Sequence, residues 1–237
     1  MIPKTIHYCW FGGNAMPRNF HKYIKSWSNK CPDYKIQLWN EENYDINCHP
    51  FIKAAYEAKA WAFVSDYARL DIVYRHGGIY LDTDVELLRN LDPLLNNKCY
   101  IGIEQHGMRL NTGLGFGAES SNPVVRRMLC VYDDITFDRA KLYDIECPKL
   151  NDAVIRTMGE ISYDEITYLD GVTVYPAKYF DPISTGRTQN FLCDETYSIH
   201  HYAASWTPGP ARFKRSLITF IGEEKYFKIK KIFGRTM

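Results

Sequence analysis

The chain has 237 residues, of which 46% are apolar and 24% charged, with a formal net charge of +1. That is an ordinary globular composition with enough chain for one large domain or two small ones. The near-neutral charge leaves no overall field that would favour nucleic acid or an acidic partner. Seven widely spaced cysteines, odd in number and without a CxxC, read as reduced thiols of a cytoplasmic protein rather than a disulfide framework or zinc site. The opening MIPKTIHYCWFGG lacks signal-peptide architecture, and no apolar run approaches the roughly 18 residues of a spanning helix.

In chain order, KTIHYCWFG reads as a first strand ending at Gly12-Gly13. The next stretch, PRNFHKYIKSWSNKCP, places Phe20, Tyr23, Ile24 and Trp27 at helical spacing. DYKIQLWN is a second short strand, and a long helix is predicted from about Phe51 to Arg75, stopped by Gly77-Gly78. IYLDTDVEL is read as one strand and CYIGIEQ as another. NTGLGFGA is a glycine-rich connection, NPVVRRMLCVYDDI a helix, and VTVYP and TYSIHHYAASW late strands. Strands alternating with helices predict an α/β fold with a mostly parallel, Rossmann-like sheet, in a single domain.

The segment IYLDTD ends an apolar run in two aspartates. Side chains two residues apart on an extended segment share a face, so Asp82 and Asp84 can converge on one point. Like charges that close are tolerated when a cation lies between them, and hard oxygen ligands suit Mg2+ or Mn2+. A bare DxD is short and common, and on its own reads as a solvated surface turn. The preceding helix adds Ser65, Asp66 and Arg69, the last two on one helix face. NTGLGFGA matches neither a P-loop nor a dinucleotide-binding fingerprint.

The whole string AFVSDYARLDIVYRHGGIYLDTD, residues 62–84, is far more specific than its parts. With Ala62, Ser65, Asp66, Arg69, Tyr74, Gly77, Gly78, Tyr80, Asp82 and Asp84 in register, it resembles the DXD-containing sugar glycosyltransferases of family 32, and distantly the glucosylating domain of large clostridial toxins. IPKTIHYCWFGG looks like the opening strand of that family and HHYAASW like its closing H-x-x-x-S-W motif. The resemblance implies a GT-A fold over residues 1–210 and a retaining, metal-dependent transfer of a hexose from a nucleotide sugar. A UDP-hexose is expected, galactose first, with GDP-mannose as the alternative. It implies that Trp10 stacks on the base and that Asp66 and Arg69 hold the donor sugar. Ser65, Tyr80 and Asn111 would lie beside ribose or sugar, and Ser205 and Trp206 at the diphosphate. Asp82, Asp84 and His201 would surround Mn2+ or Mg2+. The acceptor would be a glycan or lipid-linked glycan of bacterial surface polysaccharide. Where relatives carry a T-G-P-type segment this chain has Glu146-Cys147-Pro148, so no acceptor-side residue carries over.

Two further readings follow from the residues. A non-catalytic nucleotide-sugar-binding protein would use the same pocket, but is less attractive with Asp84 and Ser205-Trp206 all present. Residues 211–237 form a basic C-terminal extension, with Phe213, Leu217, Phe220 and Ile221 near helical spacing. It is expected either to rest on anionic lipid as a peripheral helix at the inner face of the plasma membrane or to pack on its own domain.

Overall fold

The computed structural model describes residues 1–183 and 189–203. Ser205, Trp206 and the whole 211–237 extension, with the expectations placed on them, lie outside the described residues. Strands β1 (Thr5–Cys9) and β2 (Lys35–Trp39) pair in parallel, joined by helix α1 (Arg18–Lys30). The predicted long helix is two: α2 (Pro50–Glu57) and α3 (Trp61–His76). The break falls at Lys59, whose φ of 54° is left-handed, a conformation that interrupts a helix. Gly77 caps α3 with φ 65° and donates its N–H to Val73 O at 2.8 Å. A Cβ on Gly78 would lie 2.8 Å from Thr5 O, so glycine lets strand β3 (Gly78–Tyr80) run close beside β1.

The predicted strand 79–87 also divides. After β3 the chain turns at Thr83-Asp84 and continues as β4 (Val85–Leu87), which leaves the main sheet. Its partner is β10 (Ser198–His200), antiparallel. The pair Asp82 and Asp84 therefore sits in a turn, not on one face of a strand. The glycine-rich connection is ordered: β6 (Leu110–Asn111) and β7 (Phe116–Ala118) lie along the same flank of β5 (Cys99–Ile103). Strands β8 (Thr167–Leu169) and β9 (Val172–Tyr175) complete an eight-stranded sheet of order β2-β1-β3-β7-β5-β9-β8, with β6 on β5. The pairings make β2, β1, β3, β5 and β9 run one way and β7, β6 and β8 the other, a mixed sheet in which the parallel direction predominates.

Helices α3, α4 (Pro123–Cys130) and α5 (Cys147–Arg156) cover one face of the sheet; α1 and the short α6 (Ala177–Phe180) lie on the other. Alternation along β5 shows both faces to be covered: Cys99, Ile101 and Ile103 enter the first core, Tyr100 the second. Asn122 caps α4, its Oδ1 accepting from the N–H groups of Val124 and Val125, with Pro123 at the first helical position. No described helix is long and apolar enough to cross a membrane.

Candidate active site

Parallel strands of an open sheet deliver their carboxyl ends to one edge, where ligand sites gather. Here β1 leads into Trp10, β3 into Asp82 and β5 into Glu104, and all three residues line one cleft of about 1080 Å³. Helix α3 supplies its flank. Ala62, Ser65, Asp66 and Arg69 recur at one-turn and two-turn spacing and face the cleft, while Val64, Ala68, Leu70, Ile72 and Val73 fill the core.

The α3 and β3 residues meet through Arg69. Its Nη2 lies 2.9 Å from Asp66 Oδ1 and 3.2 Å from Asp82 Oδ1, and its Nε donates to Ser65 O at 3.1 Å. The guanidinium stands 5.0 Å over the Tyr80 ring, and the Tyr80 hydroxyl donates to Asp82 Oδ1 at 3.1 Å. Arg69 is 4% exposed and Asp66 9%, so this is a buried ion pair and not a loose surface contact. Burial raises the Asp66 carboxyl to about 6, against the opposing pull of Arg69. Burial also raises Asp82, again with Arg69 opposing.

Asp84 has different partners. His200 Nε2 lies 3.1 Å from Asp84 Oδ1 and 3.9 Å from Asp82 Oδ2, and Ala203 N–H donates to Asp84 Oδ2 at 2.7 Å. Burial works against ionisation of Asp84, but His200 and these hydrogen bonds outweigh it and hold the carboxyl at about 2. In turn burial opposes charge on His200, and Asp84 overcomes it, raising the imidazole to about 9. One ligand atom from each of Asp82, Asp84 and His200 falls within 4.8 Å of the others. Two carboxylates and an imidazole nitrogen converging on one point are a donor set that suits a divalent cation such as Mn2+ or Mg2+. His200 lies between two carboxylates that favour its protonated form, so this point favours positive charge. The residues present fit such an ion.

The histidine brought to the aspartates is His200, where the sequence reading chose His201. Adjacent residues at a strand end point to opposite sides, and pairing of β10 with β4 turns His200 toward the cleft. His201 faces away: its Nε2 lies 2.9 Å from Glu86 Oε2, and its ring stacks on Tyr23 at 4.4 Å. Trp10, Ser65, Asp66, Arg69, Tyr80, Asp82, Asp84 and Asn111 all line the one cleft. The Trp10 indole is held by donation from Nε1 to Asn14 O at 2.7 Å and by an edge contact with Phe20.

Two residues not singled out by the sequence reading shape the site, Glu104 on the cleft wall and Gly113 packed behind Asp82 and Asn111. Gly113, between β6 and β7, has no room for a side chain: a Cβ there would lie 2.4 Å from Asp82 Oδ2 and 3.1 Å from Arg69 Nη1. Its N–H donates to Asn111 Oδ1 at 2.7 Å, which fixes the Asn111 amide. Glu104, one residue beyond β5, accepts from Asn111 Nδ2 at 2.8 Å. The only available signal for Glu104 was a charged residue ending the apolar run CYIGI.

Residues 17–101 match the family model described as a glycosyltransferase sugar-binding region containing a DXD motif. An inositol phosphoceramide mannosyltransferase of Schizosaccharomyces pombe is 33% identical over 119 residues, 48% of this chain and 33% of that protein. An uncharacterized glycosyltransferase of Acanthamoeba polyphaga mimivirus is 24% identical over 221 residues, 88% of this chain and 85% of that one. The chain thus spans a third of the first relative's length and most of the second's. Among solved structures, the PaToxG glycosyltransferase superposes with a TM-score of 0.50 at 16% identity, over 66% of this chain and 68% of its own, a likeness of fold. The match to the DXD-containing glycosyltransferase sugar-binding family covers the segment from α1 to β5, which holds the α3 face and the turn with Asp82 and Asp84.

Proposed function

We propose that this protein is a metal-assisted glycosyltransferase that moves a hexose from a nucleotide sugar to a hydroxyl of a glycan or lipid-linked glycan. The observation that carries this reading is the convergence of Asp82, Asp84 and His200 beside the Asp66–Arg69 pair at the carboxyl end of β3. The order of groups along the cleft supports a linear arrangement of the donor. The Trp10 indole offers a face for the base. Asp82, Asp84 and His200 hold the cation, which when bound neutralises charge on the leaving diphosphate. Asp66, Arg69 and Asn111 hydrogen-bond the sugar hydroxyls and fix its orientation. Asp82 serves both parts, since Arg69 and Tyr80 occupy Oδ1 and leave Oδ2 toward His200. Such fixed groups act by being in place before charge develops, the usual source of the largest catalytic term.

A UDP-hexose donor, galactose first, is the reading carried from the motif; GDP-mannose is supported by the mannosyltransferase named among the relatives. Retention of anomeric configuration and a role in bacterial surface polysaccharide synthesis are parts of the same proposal. The basic extension 211–237 supports a position beside anionic lipid, which flotation of intact and truncated protein with anionic vesicles would test. The reading as a whole is tested by incubating the protein with UDP-galactose, UDP-glucose, UDP-N-acetylglucosamine and GDP-mannose, each with Mn2+ or Mg2+, and measuring free nucleotide. One donor should release nucleotide, and Asp84→Asn should lower that rate by on the order of a thousandfold, the several kcal/mol a bound cation contributes. Binding of a nucleotide sugar without any release would favour the non-catalytic reading. Full turnover in excess chelator would contradict the metal's part in it.

A further inference from the structure

Glu104 is a carboxylate that the ion pairs of the cleft leave out. Among the described residues it takes part in no salt bridge, while Asp66 and Asp82 share Arg69, Asp84 faces His200, and Glu146 pairs with Arg109. Its side chain accepts one hydrogen bond, from Asn111 Nδ2, and that amide is itself pinned by Gly113 N–H. A carboxylate held on a cleft wall without an ion-pair partner is costly to keep ionised and has lone pairs to offer to an arriving hydroxyl. Its place along the sheet edge says which hydroxyl. Strand order runs β1, β3, β7 with β6, then β5, so the cleft passes from Trp10 to Asp82, to Asn111 and then to Glu104. If base, diphosphate and donor sugar occupy the first three positions, the acceptor enters at the fourth.

Resting on the donor placement proposed above, we infer that Glu104 is the catalytic residue that binds the acceptor hydroxyl and takes its proton. In the step, the acceptor O–H bond breaks as its oxygen bonds the anomeric carbon on the face that the diphosphate leaves, which keeps the configuration. The proton passes to a Glu104 Oε, and the anomeric C–O bond to the diphosphate breaks with its electron pair staying on the diphosphate. The surroundings suit a base. Burial raises the Glu104 carboxyl to about 7, with Asp181 at the end of α6 and Glu146 at the start of α5 adding to the effect. Asn111 on β6 and His200 on β10 oppose it. His106 and Arg109, in the hairpin that Glu104 opens, line the same end of the cleft. A base whose carboxyl titrates near the working pH is well matched to proton transfer.

The test compares wild type, Glu104→Gln and Glu104→Asp, using whichever donor of the panel releases nucleotide, with Mn2+ present and rates taken on both sides of pH 7. Wild-type kcat/KM should rise with pH through about 7, the value of the free carboxyl. Glu104→Gln should lose about a hundredfold in rate together with that inflection, with donor affinity by calorimetry unchanged within about twofold. Glu104→Asp, which keeps a carboxylate, should recover part of the rate and the inflection. A Glu104→Gln enzyme with wild-type rate and pH profile would overturn the assignment while leaving glycosyl transfer intact. So would a loss of donor affinity with unchanged kcat, which would make Glu104 a donor-binding group. Wild-type protein that releases nucleotide from no donor would instead refute the transferase reading, and this proposal with it.

Discussion

The turn after β3 and the hairpin after β5 leave the same edge of the same sheet, and both carry carboxylates into the cleft. They are furnished in opposite ways. In the first, three carboxylates from Asp66, Asp82 and Asp84 are met by Arg69 and His200, and hydrogen bonds from Tyr80 and Ala203 complete their shells. In the second, Glu104 accepts from a neutral amide and forms no salt bridge among the described residues, with His200 acting on it only at longer range. The difference is that one end of the cleft holds its carboxylates in fixed positions among charged partners, where the proposed function puts the cation and the diphosphate. The other end holds a carboxyl without an ion-pair partner, which is the group proposed to take the acceptor's proton.

The comparison breaks first at Arg69. Its removal leaves the buried Asp66 carboxylate without its ion-pair partner and takes one of several partners from the half-buried Asp82, so Arg69→Ala should lower stability by about 3–5 kcal/mol, read by denaturant unfolding. Asp66→Asn keeps the shape, and is expected to lower turnover at least about tenfold while free-nucleotide affinity, read by calorimetry, stays within a few-fold. Collapse of nucleotide affinity in Asp66→Asn would move this residue out of the sugar site. A smaller effect is expected at Gly113, where the Cβ of Gly113→Ala must displace the Asp82 carboxylate or shift the backbone between β6 and β7. The fold should survive and kcat should fall about tenfold or more, since sub-ångström to ångström misplacement is enough to slow a preorganised site. The smallest effect is on stability at Glu104. Its folded carboxyl lies near 7, above the ordinary 4.5, so the folded state holds a proton that the unfolded chain releases between those values. The stability this contributes is present below about 4.5 and lost as pH rises through about 7. Glu104→Gln should therefore melt a few degrees above wild type on the alkaline side of 7 and close to it in acid. Equal melting temperatures throughout would mean that Glu104 is better solvated than its burial indicates.

The α/β architecture was legible because apolar runs and Gly77-Gly78 mark the elements locally. The family block was legible because Asp66, Arg69, Tyr80, Asp82 and Asp84 lie within 19 residues of sequence on a helix, a strand and the turn that follows. What escaped the sequence depends on pairing at long range. The break at Lys59 rests on a left-handed backbone that no glycine announces. The division of 79–87 into β3 and β4 depends on β10, more than a hundred residues later, which pairs with β4 and not with the main sheet. The same pairing decides between His200 and His201, a choice that register settles and spacing does not. Gly113 and Glu104 gain their meaning only when β6, β7 and β5 come together beside Asp82.

The central claim is that Asp82, Asp84 and His200 hold a divalent cation at the end of β3. Titration of the whole protein with Mn2+, followed by the paramagnetic resonance signal of the free ion, tests it without needing a donor. Wild type should bind one ion, Asp84→Asn should bind it far more weakly, and His200→Ala should lose about ten- to a hundredfold in affinity, while His201→Ala stays near wild type. Loss of Mn2+ affinity in His201→Ala with none in His200→Ala, or equal affinity in wild type and Asp84→Asn, would contradict the account.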